Sequence, residues 1–149
     1  MNKNMKKMLE FLSSCGMFYL ATADGNQPKV RPMNFAKNVN GKLSFYTSKQ
    51  KELYKQLEKN PLAEISATSK EGWIRIFGPM SFNDSPEVFE KWSSESAFFR
   101  FADEDKVICS FDSMKVEYTP GFQAPLPDFI SGWEKIIAAE GEVKYITEL

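Results

Sequence analysis

The chain has 149 residues, of which 42% are hydrophobic and 14% aromatic, which is one domain's worth of sequence with a fillable core rather than a disordered chain. Histidine is absent and only two cysteines occur, Cys15 and Cys109. That excludes Ser-His-Asp and Cys-His nucleophiles, histidine-held haem, a disulfide framework and a structural zinc site. The net charge of −1 conceals eleven Lys/Arg against four Asp/Glu in residues 1–60, and eight against sixteen thereafter. A basic half suits an anionic ligand, nucleic acid or an acidic partner surface, and its plain alternative is a solvated surface of uneven sign. A pI near 5.6 without a dense Lys/Arg stripe argues against nucleic acid.

Met5, Met8, Leu9 and Leu12 have the spacing of an amphipathic helix that Gly16 ends. Leu12-Ser13-Ser14-Cys15 has the outline of a lipoprotein cleavage box, but Glu10 interrupts the short apolar run Met8–Leu12 before it. The expectation is a cytoplasmic chain with no membrane-spanning segment. Met17–Thr22, Lys29–Lys37 and Lys42–Thr47 read as three strands joined by the turns Asp24-Gly25 and Asn40-Gly41, a β-meander. A helix is predicted over Lys49–Lys59, with Ser48 as its cap and Asn60-Pro61 as its stop. Strands follow at Leu62–Thr68 and Trp73–Phe82, then a helix opening at Ser85-Pro86 with Val88, Phe89 and Trp92 on its buried face. Val107–Phe111 and Lys115–Thr119 close the series, and residues 129–139 are assigned a short helix. Six or so mostly consecutive strands argue for an α+β, mainly β barrel of one domain, with its core at about residues 17–119 and a tail at 120–149.

Glycine-rich nucleotide loops are missing, and the carboxylates are scattered. Chemistry is therefore sought where a strand meets a helix. At Tyr46-Thr47-Ser48-Lys49-Gln50-Lys51, free backbone N–H groups and hydroxyls favour an anion, and Lys49 and Lys51 in a first helical turn suit a bound phosphate. Pro32, within Arg31-Pro32-Met33-Asn34, cannot donate to a ladder and marks an open sheet edge on which a flat ring could lie. Arg31 could reach the phosphate or the ring carbonyls. Trp73 could cover a ligand ring or a partner subunit, although core packing is the stronger account of it.

In this order the motifs Tyr19–Gly25, Pro28-x-Val30-Arg31-Pro32, Gly41–Ser48, Leu57–Pro61 and Trp73-Ile74-Arg75-Ile76-x-Gly78 resemble the flavin-binding split-barrel superfamily typified by pyridoxamine 5′-phosphate oxidase. Small members grouped with nitroimidazole-resistance reductases are the nearest likeness. The resemblance implies a six-stranded antiparallel Greek-key split β-barrel and a homodimer with flavin mononucleotide (FMN) at its interface. It implies that Arg31, Pro32, Met33 and Asn34 line the flavin, and that Tyr46, Thr47, Ser48, Lys49 and Lys51 hold the phosphate. Trp73 and Arg75 would approach from the neighbouring subunit. The activity implied is flavin-dependent oxidation or reduction of a small organic molecule, with NADH or NADPH as candidate donor; the alternative is a protein that binds FMN without turnover. Haem and deazaflavin are cofactors of other such barrels. The C-terminal segment lacks the Arg and His of the true oxidases, and the His of nitroimidazole reductases is absent, so neither specific activity is implied.

Overall fold

A computed structural model describes residues 3–34, 36–87 and 105–149. Helix α1 (Lys3–Ser14) buries Met5, Met8, Phe11 and Leu12 and ends at Gly16, whose φ of +78° suits glycine. The meander follows as β1 (Phe18–Asp24), β2 (Gln27–Met33), a short β3 (Lys37–Val39) and β4 (Lys42–Ser48). Its turns are local chemistry: Asn40 and Gly41 both have positive φ, the conformation of a tight hairpin. The single strand expected over 29–37 is two, because β2 ends at Met33 and pairing resumes at Lys37.

Helix α2 (Glu52–Lys59) begins three residues later than expected. The Lys49 N–H is still bonded to the Asp105 carbonyl at 2.8 Å, and the Lys51 N–H closes a turn on Ser48. Lys51 is the cap residue, and Ser48 does not cap the helix. Glu52 takes the first turn, where a negative charge suits the helix dipole. The two lysines thus precede the helix rather than lying in its first turn, where the sequence pattern places them.

The hairpin β5 (Leu62–Ser69) and β6 (Gly72–Asn83) is followed by β7 (Lys106–Phe111) and β8 (Lys115–Pro120). All pairings are antiparallel, in the order β2-β1-β5-β6-β7-β4-β3. Strand β6 is shared: residues 72–77 pair with β8 and residues 80–83 with β7. Gly78 lies at the changeover, where a Cβ would collide with the Ser113 carbonyl. Inward positions of β1, β5, β6 and β8 supply Phe18, Leu20, Ile65, Ile74, Ile76, Val116 and Tyr118 to one core. Pro86 and Glu87 are helical as expected, while Val88, Phe89 and Trp92 lie outside the described residues.

The helix assigned to 129–139 is not formed. A 3-10 turn at Asp128–Ile130 packs Phe129 on Phe11, Tyr118 and Trp133, at centroid distances of 5.5–5.7 Å. Gly132 then turns the chain at φ +85°, and β9 (Glu134–Ile137) and β10 (Val143–Glu148) add to the sheet beside β8. Among the described residues the architecture is mainly antiparallel β with the helices α1 and α2, consistent with a split-barrel-like fold. Ten strands are described, the seven runs named from the sequence together with β3, β9 and β10, against a barrel of six or so, and the described pairings do not close into a ring.

Candidate cofactor-binding site

Strand β2 is the end strand of the sheet path, as the proline at position 32 requires. Pro32 and Asn34 are exposed, and Met33 is half-buried against the core. Arg31 turns back over β1. Its guanidinium donates to the Leu20 carbonyl at 3.2 Å, to Thr22 Oγ1 at 2.8 Å and to Gln56 Oε1 at 2.8 Å. Among the described residues no carboxylate pairs with it. Burial pulls the Arg31 pKa below its usual value with no opposing charge, so this half-buried cation is held by neutral groups only.

Gln56 lies on α2, the helix that follows β4 and the turn at residues 49–51, so Arg31 of β2 is bonded to the helix that this segment leads into. Near the end of β4, Thr47 is buried at 4% exposure and its hydroxyl has no hydrogen-bond partner. An unpaired buried hydroxyl costs about 1–3 kcal/mol, a signature of a group that expects a further partner. Ser48 Oγ accepts the Gln50 N–H at 3.3 Å, and Tyr46 is half-buried on β4. Lys51 is exposed. Lys49 already has an anion: its ammonium lies 2.9 Å from Asp84, which raises the Lys49 pKa and lowers that of Asp84.

Trp73 and Arg75 lie apart from this group, since β1 and β5 separate β6 from β2. Arg75 donates to both oxygens of Glu64, at 3.0 and 3.1 Å, and stands 3.5 Å from Glu117. Trp73 is half-buried opposite Thr68 and Thr119. Two cavities lie elsewhere. One of about 460 Å³ adjoins Phe77, Met114 and Leu149, and one of about 630 Å³ lies between α1 and the Leu126–Trp133 segment.

Two residues escaped the sequence reading, Thr22 and Gln56. Both sit where the pattern calls for an apolar side chain: Thr22 follows Phe18 and Leu20 on the inward face, and Gln56 shares the buried stripe of Leu53 and Leu57. A polar residue in such a position was the available signal.

The family model for pyridoxamine 5′-phosphate oxidase matches residues 5–120, and the chain belongs to that family. Within that class it is similar to a NimC/NimA family protein from Clostridium acetobutylicum, at 33% identity over 83% of this chain and 89% of that one, with a TM-score of 0.73. A pyridoxamine 5′-phosphate oxidase-related, FMN-binding protein from Nostoc punctiforme shares the fold at 16% identity, covering 98% of this chain and 91% of that one, TM-score 0.61. A haem-binding protein from Mycobacterium smegmatis does so at 16% identity, covering 83% and 56%, TM-score 0.59. No curated protein matches the chain. Among the described residues no helix is long and apolar enough to cross a membrane.

Proposed function

We propose that this protein binds FMN and uses it to oxidise or reduce a small organic molecule. The observation that carries the reading is Arg31, a half-buried cation on β2 with neutral partners that include Gln56 of α2, the helix that follows the strand on which Thr47 holds a buried, unpartnered hydroxyl. Those two groups fit a phosphate-bearing ligand by charge and by hydrogen bonding. Arg31 and Thr47 would bind it, with Ser48, Lys51 and Lys49 beside them and the Pro32–Asn34 edge beneath the flat ring. Lys49 would exchange Asp84 for the phosphate. When bound, the flavin would supply two-electron chemistry that a chain without histidine does not offer from its own side chains.

The same reading has one domain in a six-stranded Greek-key barrel, in the cytoplasm, and a homodimer whose interface completes the site. Met17, Tyr19, Val30 and Leu62 are large exposed hydrophobic residues on β1, β2, β5 and the approach to β1, an apolar surface a second copy would cover. Trp73 and Arg75 would then reach the flavin from the partner. The test is the visible spectrum and mass of the small molecule released when the purified protein is denatured, followed by stopped-flow mixing with NADH or NADPH. A released mass of haem or deazaflavin, or no binding of added FMN, rejects the cofactor. Bound FMN that neither nucleotide reduces and no acceptor reoxidises leaves a binding protein.

A further inference from the structure

We infer that Gln56, together with Thr22, is a positioning residue that holds the Arg31 guanidinium as a receptor for the phosphoryl group of the cofactor. The inference rests on the FMN reading and adds to it two residues and the part of the ligand they serve.

Gln56 Oε1 accepts two hydrogen bonds, from Thr22 Oγ1 at 2.6 Å and from Arg31 at 2.8 Å, and Thr22 Oγ1 in turn accepts from Arg31 at 2.8 Å. The three side chains form a closed triangle across β1, β2 and α2. Gln56 and Thr22 are 6% and 5% exposed, so the triangle is built into the protein rather than laid on its surface. With the Leu20 carbonyl, these partners take three of the five N–H donors of the guanidinium, leaving two uncommitted.

The chemistry of the clamp is its neutrality. A glutamate at position 56 would make the same two bonds and cancel the charge of Arg31. The amide fixes the orientation of the cation and leaves its charge available. Oxidised FMN has a neutral ring, so its full negative charge is on the phosphate. An uncompensated, half-buried guanidinium therefore discriminates FMN from riboflavin, which has the same ring and no phosphate.

The experiment titrates the full chain with FMN and with riboflavin, for the wild type and for the Gln56→Glu and Thr22→Val variants, with thermal unfolding of each. Gln56→Glu is expected to fold normally and to lose roughly tenfold or more of its FMN affinity, since hydrogen bonds between charged groups are in that range. Riboflavin affinity should stay within about twofold, so the preference for FMN collapses. Thr22→Val should reduce the same preference by a smaller factor, and it carries the test if Gln56→Glu fails to fold. An unchanged preference in a folded variant overturns the inference, and so does an equal loss of both ligands, which assigns the clamp to packing alone. A wild type that binds no FMN overturns the cofactor reading itself, a result seen before any variant is made.

Discussion

Lys49 and Asp84 form an ion pair of 2.9 Å that ties the turn before α2 to the residue just beyond β6. The aspartate occupies the ammonium that the sequence reading gave to a phosphate. Both side chains are exposed, so the pair is a screened, exchangeable contact. Asp84→Asn should therefore raise FMN affinity by roughly two- to fivefold at low salt, and the gain should fade as salt screens the competitor. Fluorescence titrations at two ionic strengths measure this. Unchanged or weaker binding in the variant would remove Lys49 from the phosphate site.

Replacing Lys49 and Lys51 together by alanine is expected to weaken FMN binding by roughly tenfold or more if either ammonium meets the phosphate. Riboflavin binding should be spared. Both residues precede α2, so helix stability is not at stake and thermal unfolding should shift little. Equal FMN affinity in the double variant would leave Arg31 and Thr47 as the anion-binding groups.

Thr47→Val separates stability from binding. Its hydroxyl is buried without a partner, so the isosteric valine should stabilise the ligand-free protein by about 1 kcal/mol. The same change should weaken FMN binding several-fold. Denaturant midpoints with and without FMN show both effects, and a destabilised ligand-free variant would mean that the hydroxyl is already satisfied.

Asp112 gives the molecule an acid-sensitive contact. The Ser81 hydroxyl donates to it at 2.7 Å and the Lys42 ammonium at 2.9 Å, which together hold its pKa below the usual carboxylate value. A lowered folded-state pKa means that the unfolded chain takes up the proton first as pH falls. The contribution is thus present above about pH 4 and is lost as pH drops through the lowered value. Denaturant midpoints measured from pH 7 to pH 2 should fall less steeply below pH 4 for Asp112→Asn than for the wild type. Parallel curves would show that Asp112 contributes nothing to acid sensitivity.

The parts of this fold legible in the sequence were those set by local chemistry. Asn40-Gly41 announces its hairpin because few residue pairs accept positive φ at both positions, and Gly25 supplies the positive φ of the turn after Asp24. Pro32 places its strand at the margin because it has no N–H to give. The C-terminal segment misled because Phe129, Trp133, Ile136 and Ile137 are spaced nearly as a helix would space them. Its glycines at 132 and 141, which bracket the β-branched Ile136-Ile137, were the better guide. At the candidate site, the sequence pattern drew attention to the residues carrying obvious charge and passed over Thr22 and Gln56. Lys49 was given an empty ammonium because its partner, Asp84, is distant in the chain. Gln56 and Thr22 acquire meaning only when α2 is laid across β1, a relationship that no local pattern encodes.

Strand β6 serves both halves of the sheet, with β8 along its first part, β7 along its last and β5 beside residues 72–79. Neither half can come away without breaking hydrogen bonds to the same backbone. Amide protons on Ile74 and Ile76 should thus exchange only when the entire molecule opens, at the slowest rate in the chain. A lesion at the Gly78 crease would loosen both halves at once.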